Sequence, residues 1–242
     1  MSRTISLYKE HAEEDKVGIS EEKRDLIDLI GEDLGRFSDQ GVSLLNREIY
    51  LNDITQSTAI KFHKNLLALE NISTEPIKIH IHSNGGLVDA GWSIYDAIGN
   101  SPCQIVGICW GICASMATVI LQACDKRIIT KHATFMMHEG SDTMIGEMKA
   151  RDPIAYGLEA KRQLSLMYDI LSSKTCMSKN QLEELISRTD LFLTPEEVIA
   201  LALADAILIG KKKEVTKGKI NLKAFNRILS HKSIKTIHGK GR

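Results

Sequence analysis

The residues able to do chemistry in this chain are a serine, a histidine, a carboxylate and a pair of glycines. Ser115 lies in the stretch Ile108-Cys109-Trp110-Gly111-Ile112-Cys113-Ala114-Ser115-Met116-Ala117. The apolar run from Cys103 to Cys109 reads as a buried strand, and Met116 to Ala123 reads as a short buried helix. A hydroxyl at such a strand-to-helix turn sits at the end of a sheet, beside the free N–H groups and positive dipole end of the helix. That setting suits a nucleophile that must generate an oxyanion. Its plainer use is a helix cap, and a lone serine favours that reading. His138 ends the apolar run Phe135-Met136-Met137. A strand-end histidine is usually structural, but imidazole titrates in the range a general base needs. Ser83-Asn84-Gly85-Gly86 follows another strand, and two glycines can turn sharply and aim N–H groups into a pocket. A serine hydroxyl attacks only when a base takes its proton and a carboxylate holds the imidazole. Asp190 is one of several candidates for that carboxylate, and spacing does not choose among them.

These residues need elements to position them. Residues 1–19 are polar and charged without periodicity and read as disordered. From Ser20 to Leu34, the residues Leu26, Ile27, Ile30 and Leu34 recur at helical spacing, so an amphipathic helix is expected, with a linker from Gly35 to Gln40. Arg47 to Leu51 reads as a strand, and a helix should follow from Asp53 to about Asn71. Ile77, Ile79 and Ile81 then alternate with Lys78, His80 and His82, giving a strand with one apolar and one polar face. His80 and His82 share the polar face, but no third ligand for a metal is evident, so exposed strand histidines are expected. A helix carries Leu87, Gly91, Ile94, Tyr95 and Ile98 up to a Gly99-Asn100 stop. After Ser115 come a short strand at Arg127–Ile129, the strand ending on His138, a polar loop over 139–152, and a long helix from Ile154 to Thr175. Ser178-Lys179-Asn180-Gln181 and Thr194-Pro195-Glu196-Glu197 are capping-box patterns opening two short helices. A last strand spans Ala206–Ile209. Strands alternating with helices give an α/β domain.

Composition narrows the class. The 242 residues suffice for one medium domain with tails, and 43% hydrophobic with 26% charged is ordinary for a globular protein. No apolar run reaches the length of a membrane span, and the polar N-terminus lacks a signal-peptide core, so a cytoplasmic protein is expected. Cys103, Cys109, Cys113, Cys124 and Cys176 form no CxxC pair and read as buried reduced thiols. Neither a metal nor an organic cofactor is expected. The net charge of zero conceals an asymmetry: residues 211–242 hold eleven Lys or Arg against Glu214 alone, leaving 20 basic and 30 acidic residues in 1–210. Such a tail is expected to be solvated and flexible. It has one aromatic, Phe225, and no nucleic-acid-binding module, so nucleic acid is not an expected partner.

Taken together, the motifs resemble the proteolytic subunit of Clp protease (ClpP), from about Arg47 to Gly210. The Ile108 to Met116 stretch resembles the family's nucleophile motif, in which a glycine precedes Ala-Ser-Met by two residues. Met136-Met137-His138 resembles its Met-Ile-His. Asp190-Leu191-Phe192-Leu193-Thr194 resembles its Asp-Arg-Phe-Leu-Ser, and Ser83-Asn84-Gly85-Gly86 its Ser-Pro-Gly-Gly. Four motifs in the right order make the match specific. The resemblance implies a ClpP/crotonase-like fold, a repeated β-β-α superhelix with a protruding handle helix at Ile154–Thr175. It implies a catalytic triad of Ser115, His138 and Asp190, and an oxyanion hole made by the N–H groups of Gly86 and Met116. It implies hydrolysis of unfolded polypeptides or peptides inside paired seven-membered rings, heptamers stacked into a tetradecamer and fed by a AAA+ ATPase. The domain reading is then an N-terminal extension over 1–44, a peptidase domain over 45–210, and the basic tail over 211–242.

The chain departs from the family at named places. Asn84 replaces the proline before the glycines. Lys78 and His80 stand where the family carries tyrosines that form ATPase-docking pockets. Thr189, with Arg188 before it, replaces the arginine that precedes the catalytic aspartate, and the N-terminal segment does not resemble the usual axial loop. Competing readings are a catalytically silent ring or scaffold subunit, an acyl-CoA-handling crotonase-like enzyme, and a membrane-linked Ser–Lys peptidase. Intact Ser115, His138 and Asp190 speak against the first. The lack of acid/base carboxylates in the motif speaks against the second, and the lack of a membrane segment against the third.

Overall fold

A computed structural model describes residues 20–140, 152–187, 190–210 and 216–217. The expectations for residues 1–19, for the loop after Gly140, for Arg188 and Thr189, and for the basic tail apart from Thr216 and Lys217 fall outside them. The chain divides into two compact units, Met1–Asn46 and Arg47–Arg242.

The first unit contains helix α1 (Glu21–Gln40) and the two-residue strand β1 (Val42–Ser43). The linker expected at Gly35–Gln40 is helical instead. A glycine inside a helix costs only about 1 kcal/mol, and Gly41 is the true stop, with φ of 70° and its N–H donated to the Phe37 carbonyl. Asp33 is the buried residue of α1. Its carboxylate accepts from the Ser43 hydroxyl at 2.7 Å and from the Leu44 and Leu45 amides at 2.6 and 3.3 Å. Desolvation pushes this carboxyl up, but the hydroxyl and the two amides outweigh it and hold the group below the usual range. Leu26, Ile27, Ile30 and Leu34 are exposed.

The second unit is built on a sheet. Strands β2 (Glu48–Leu51), β3 (Ile77–Ser83), β4 (Ile105–Ala114), β5 (Lys126–Thr130) and β8 (Ala206–Leu208) lie side by side in that order, all parallel, and β9 (Thr216–Lys217) adds antiparallel to β8. Helices α2 (Gln56–Ile72), α3 (Val88–Gly99) and α4 (Met116–Leu121) connect the first strands. The alternation in β3 works as expected on its apolar face, where Ile77, Ile79 and Ile81 are fully buried. Each such side chain contributes about 1.5–3 kcal/mol by leaving water. The polar face differs. His82 is exposed, but His80 is buried, stacked on Tyr50 and accepting the Trp110 indole N–H at Nδ1, 2.9 Å away. Aromatic neighbours on β2 and β4 cover it, a contact between strands that spacing within one strand does not reveal.

The strand leading to Ser115 is longer than its apolar run suggests. β4 continues through Trp110–Ala114, turning at Gly111 with φ of 58°. Its first half pairs with β3 and β5, while its second half pairs with β6 (Thr134–Met137). β6 in turn pairs antiparallel with β7 (Leu191–Leu193). Helix α5 (Asp152–Lys174, 23 residues) is the long helix expected after the loop, followed by α6 (Lys179–Ile186) and α7 (Pro195–Ala200). Both capping boxes are present, Ser178 with Gln181 and Thr194 with Glu197. Among the described residues no helix is long and apolar enough to cross a membrane.

Candidate active site

Strand register brings the site together. Ile112, Cys113 and Ala114 of β4 lie opposite Thr134, Phe135 and Met136 of β6. The next rung is the Ser115 amide, which donates to the Met136 carbonyl at 2.8 Å. His138 lies two residues beyond Met136, and its Nε2 is 2.7 Å from Ser115 Oγ. On the other side of β6, Met137 pairs with Leu191. One residue outward in each strand, His138 and Asp190 become neighbours, with Nδ1 3.8 Å from Oδ1. That separation suits an ion pair with a protonated imidazole and is longer than a hydrogen bond. The His138 side chain is 28% exposed and that of Asp190 57%.

Ser115 is not a helix cap in the ordinary sense. It occupies the N-cap position of α4, but its side chain makes no capping hydrogen bond, and its backbone has φ of 54° and ψ of −128°. A non-glycine residue in such a conformation costs about 1–3 kcal/mol and persists only where its surroundings over-determine it. Here three hydrogen bonds do so. The amide is held by Met136, and the Ser115 carbonyl accepts both the Thr118 amide at 2.9 Å and the Thr118 hydroxyl at 2.6 Å. The hydroxyl is thereby turned toward His138, in a strained strand-to-helix turn of the kind that presents a nucleophile in α/β-hydrolases.

The glycine pair packs against this turn. A Cβ at Gly85 (φ 98°) would lie 2.6 Å from Ser115 Cβ and 3.1 Å from the Met116 amide nitrogen, and one at Gly86 (φ 148°) would lie 2.1 Å from the Ile54 carbonyl oxygen. No other residue fits either place. Met116 opens α4, so its amide has no acceptor within the helix. Its side chain rests on α3 at Gly91, where a Cβ would come within 2.1 Å of Met116 Cγ. All five residues expected at the site, Ser115, His138, Asp190, Gly86 and Met116, thus lie in one neighbourhood. Ser83, Ile54, Gly91 and Thr118 also shape it. Ser83 and Gly91 stood in recognised motifs without a role. Ile54 and Thr118 act mainly through backbone bonds, which residue types do not advertise.

Other reactive groups lie apart. Cys103, Cys109, Cys113 and Cys124 are free and buried, and Cys176 is half-buried. A hydrogen bond with Cys113, together with burial, pushes the Cys109 thiol well up, and burial does the same to Cys124. Both are inert thiols at neutral pH. The described residues contain no group of three His, Cys, Asp or Glu side chains that could hold a metal ion.

The sequence matches the Clp protease family over residues 36–211. It is 32% identical to an ATP-dependent Clp protease proteolytic subunit from Porphyromonas gingivalis over 174 residues, 70% of this chain and 77% of that protein. It is 30% identical to ATP-dependent Clp protease proteolytic subunit 1 of Chlamydia muridarum over 171 residues, 68% of this chain and 88% of that one. The fold matches that of a mutant ClpP1 from Listeria monocytogenes with a TM-score of 0.63, covering 69% of this chain and 94% of that chain at 24% identity. The architecture is accordingly ClpP/crotonase-like, and the chain belongs to the Clp protease family.

Proposed function

We propose that this Clp protease is a serine endopeptidase working through Ser115, His138 and Asp190. The observation that carries the reading is the 2.7 Å contact between Ser115 Oγ and His138 Nε2, made by a serine whose backbone is strained to present it. His138 takes the Ser115 proton through Nε2 as Oγ attacks a peptide carbonyl. Nδ1 then carries a proton facing Asp190, whose carboxylate stabilises the imidazolium. The Gly86 and Met116 amides receive the tetrahedral oxyanion, each worth about 3 kcal/mol of barrier. The imidazolium protonates the leaving amine, the acyl-enzyme forms, and a water activated by His138 releases it. Neither a metal nor an organic cofactor takes part in these steps.

The unit over 45–210 would be the peptidase domain, with 1–44 an N-terminal extension and 211–242 a basic tail. It would assemble in seven-membered rings stacked in pairs, with α5 as the handle between them. Ile154, Tyr156, Leu158 and Leu166 of α5 are exposed and supply apolar area for that contact. A AAA+ ATPase would feed unfolded chains into the chamber. The exposed Tyr50 and Trp110 beside buried His80 support a docking face there in place of the family's tyrosines. Free, largely buried cysteines suit the reducing cytoplasm. A silent ring subunit is the second reading, favoured only by the 3.8 Å between His138 and Asp190.

The test is hydrolysis of a fluorogenic peptide by the assembled protein. Turnover abolished by Ser115→Ala supports the peptidase. Turnover unchanged by Ser115→Ala, or absent from an assembled wild type, rejects it.

A further inference from the structure

Two hydrogen bonds from one residue straddle Gly86. The Ile54 amide donates to the Gly85 carbonyl at 3.0 Å, and the Ile54 carbonyl accepts the Leu87 amide at 2.8 Å. Ile54 and Gly86 so form an isolated parallel bridge in the segment between β2 and α2. A third bond braces the same turn from the strand side, where the buried Ser83 hydroxyl accepts the Gly85 amide at 3.0 Å. A peptide unit is planar and trans, so the carbonyl of one residue and the N–H of the next point in opposite directions. Pinning the Gly85 carbonyl on Ile54 therefore turns the Gly86 N–H away from Ile54. A Cβ on Gly85 would run into Ser115 and the Met116 amide nitrogen, so the turn lies close against the serine.

We propose that Ile54 and Ser83 are positioning residues for the oxyanion hole, holding the Gly85–Gly86 peptide in the orientation that offers the Gly86 N–H to the tetrahedral intermediate. The inference rests on the serine-peptidase reading above. The peptide lies between two glycines, which rotate more freely than any other pair. Turned over, it would present the Gly85 carbonyl to the developing negative charge in place of a donor. The bond that must break for this to happen is the one from the Ile54 amide. Ile54 is 1% exposed, so an unpaired amide there resists the change. Ser83 fixes the residue on which the peptide would pivot.

The test replaces Ile54 by its α-hydroxy-acid analogue through nonsense suppression, exchanging the amide N–H for an ester oxygen with every side chain unchanged. The expected result is a fall in kcat of about tenfold or more for a fluorogenic peptide, with KM within about twofold. Affinity for a peptide boronate, which forms a tetrahedral adduct with serine, should fall by the same factor. Ser83→Ala should give the same split between kcat and KM with a smaller loss, and Ser83→Thr should restore kcat. The proposal is overturned if the ester and Ser83→Ala both keep wild-type kcat and boronate affinity. A poorly folding ester leaves the decision to Ser83→Ala and its threonine rescue. An active wild type with indifferent variants sinks this inference alone, whereas a wild type no more active than Ser115→Ala sinks the peptidase reading and this one with it.

Discussion

The two halves of the proposed triad are built differently. Ser115 meets His138 at 2.7 Å, while His138 stands 3.8 Å from Asp190. The serine side rests on a parallel ladder that runs into the Ser115 turn, with three hydrogen bonds to its backbone fixing a strained residue. The acid side rests on β7, a strand of three residues, and its carboxylate is more than half exposed. Charge interactions in that wetter setting are weaker than in a closed one. Ser115 and His138 are therefore in hydrogen-bond contact, and Asp190 stands beside His138 at ion-pair distance.

That contrast can be broken or sharpened by mutation. The largest effects belong to Ser115→Ala and His138→Ala. Each should lower kcat on a fluorogenic peptide by about a thousandfold or more, and the double variant should be little worse than either single one, because the residues act as a unit. Next comes Gly85→Ala, where φ of 98° and a Cβ 2.6 Å from Ser115 Cβ force the two turns apart. A loss of about a hundredfold in kcat is expected, comparable to removing an oxyanion donor. Asp190→Asn should cost at least about tenfold less than His138→Ala, and an equal loss would show that the acid matters as much as the base.

The smallest effect on chemistry should come from the Arg127–Asp205 pair, which joins β5 to the start of β8. Asp205 accepts from the Arg127 amide at 2.7 Å and from its guanidinium at 2.7 and 3.3 Å. Desolvation raises the Asp205 carboxyl, and the Arg127 bonds more than reverse it, holding it below the ordinary 3.8. A depressed carboxyl stabilises the fold fully above its unfolded pKa and loses that contribution as pH falls through the lower folded value. Asp205→Asn should thus lower stability in urea by about 1–3 kcal/mol at neutral pH with little change in kcat per folded chain, and the gap to wild type should close only well into acid.

Much of the site is legible in the chain because chemistry-bearing residues end apolar runs. Ser115 and His138 each follow one, and parallel pairing of two such runs makes their ends neighbours. Asp190 is legible only through its motif, since nothing in its spacing separates it from other carboxylates. The failures share a cause. The helix continuing through Gly35 to Gln40, the strand continuing through Trp110 to Ala114, and the burial of His80 under Tyr50 and Trp110 all depend on partners distant in sequence or on backbone bonds. Ile54 is the extreme case. Its side chain is an ordinary core isoleucine, while its amide and carbonyl bracket the residue expected to bind the oxyanion.

The central claim is that Ser115 is a nucleophile activated by His138. Its most direct test is mass-spectrometric mapping of the chain after reaction with a fluorophosphonate. One adduct per chain on Ser115 is expected, with labelling slowed by at least about tenfold in His138→Ala and absent in Ser115→Ala. An adduct on another residue, or labelling of Ser115 at an unchanged rate in His138→Ala, would contradict it.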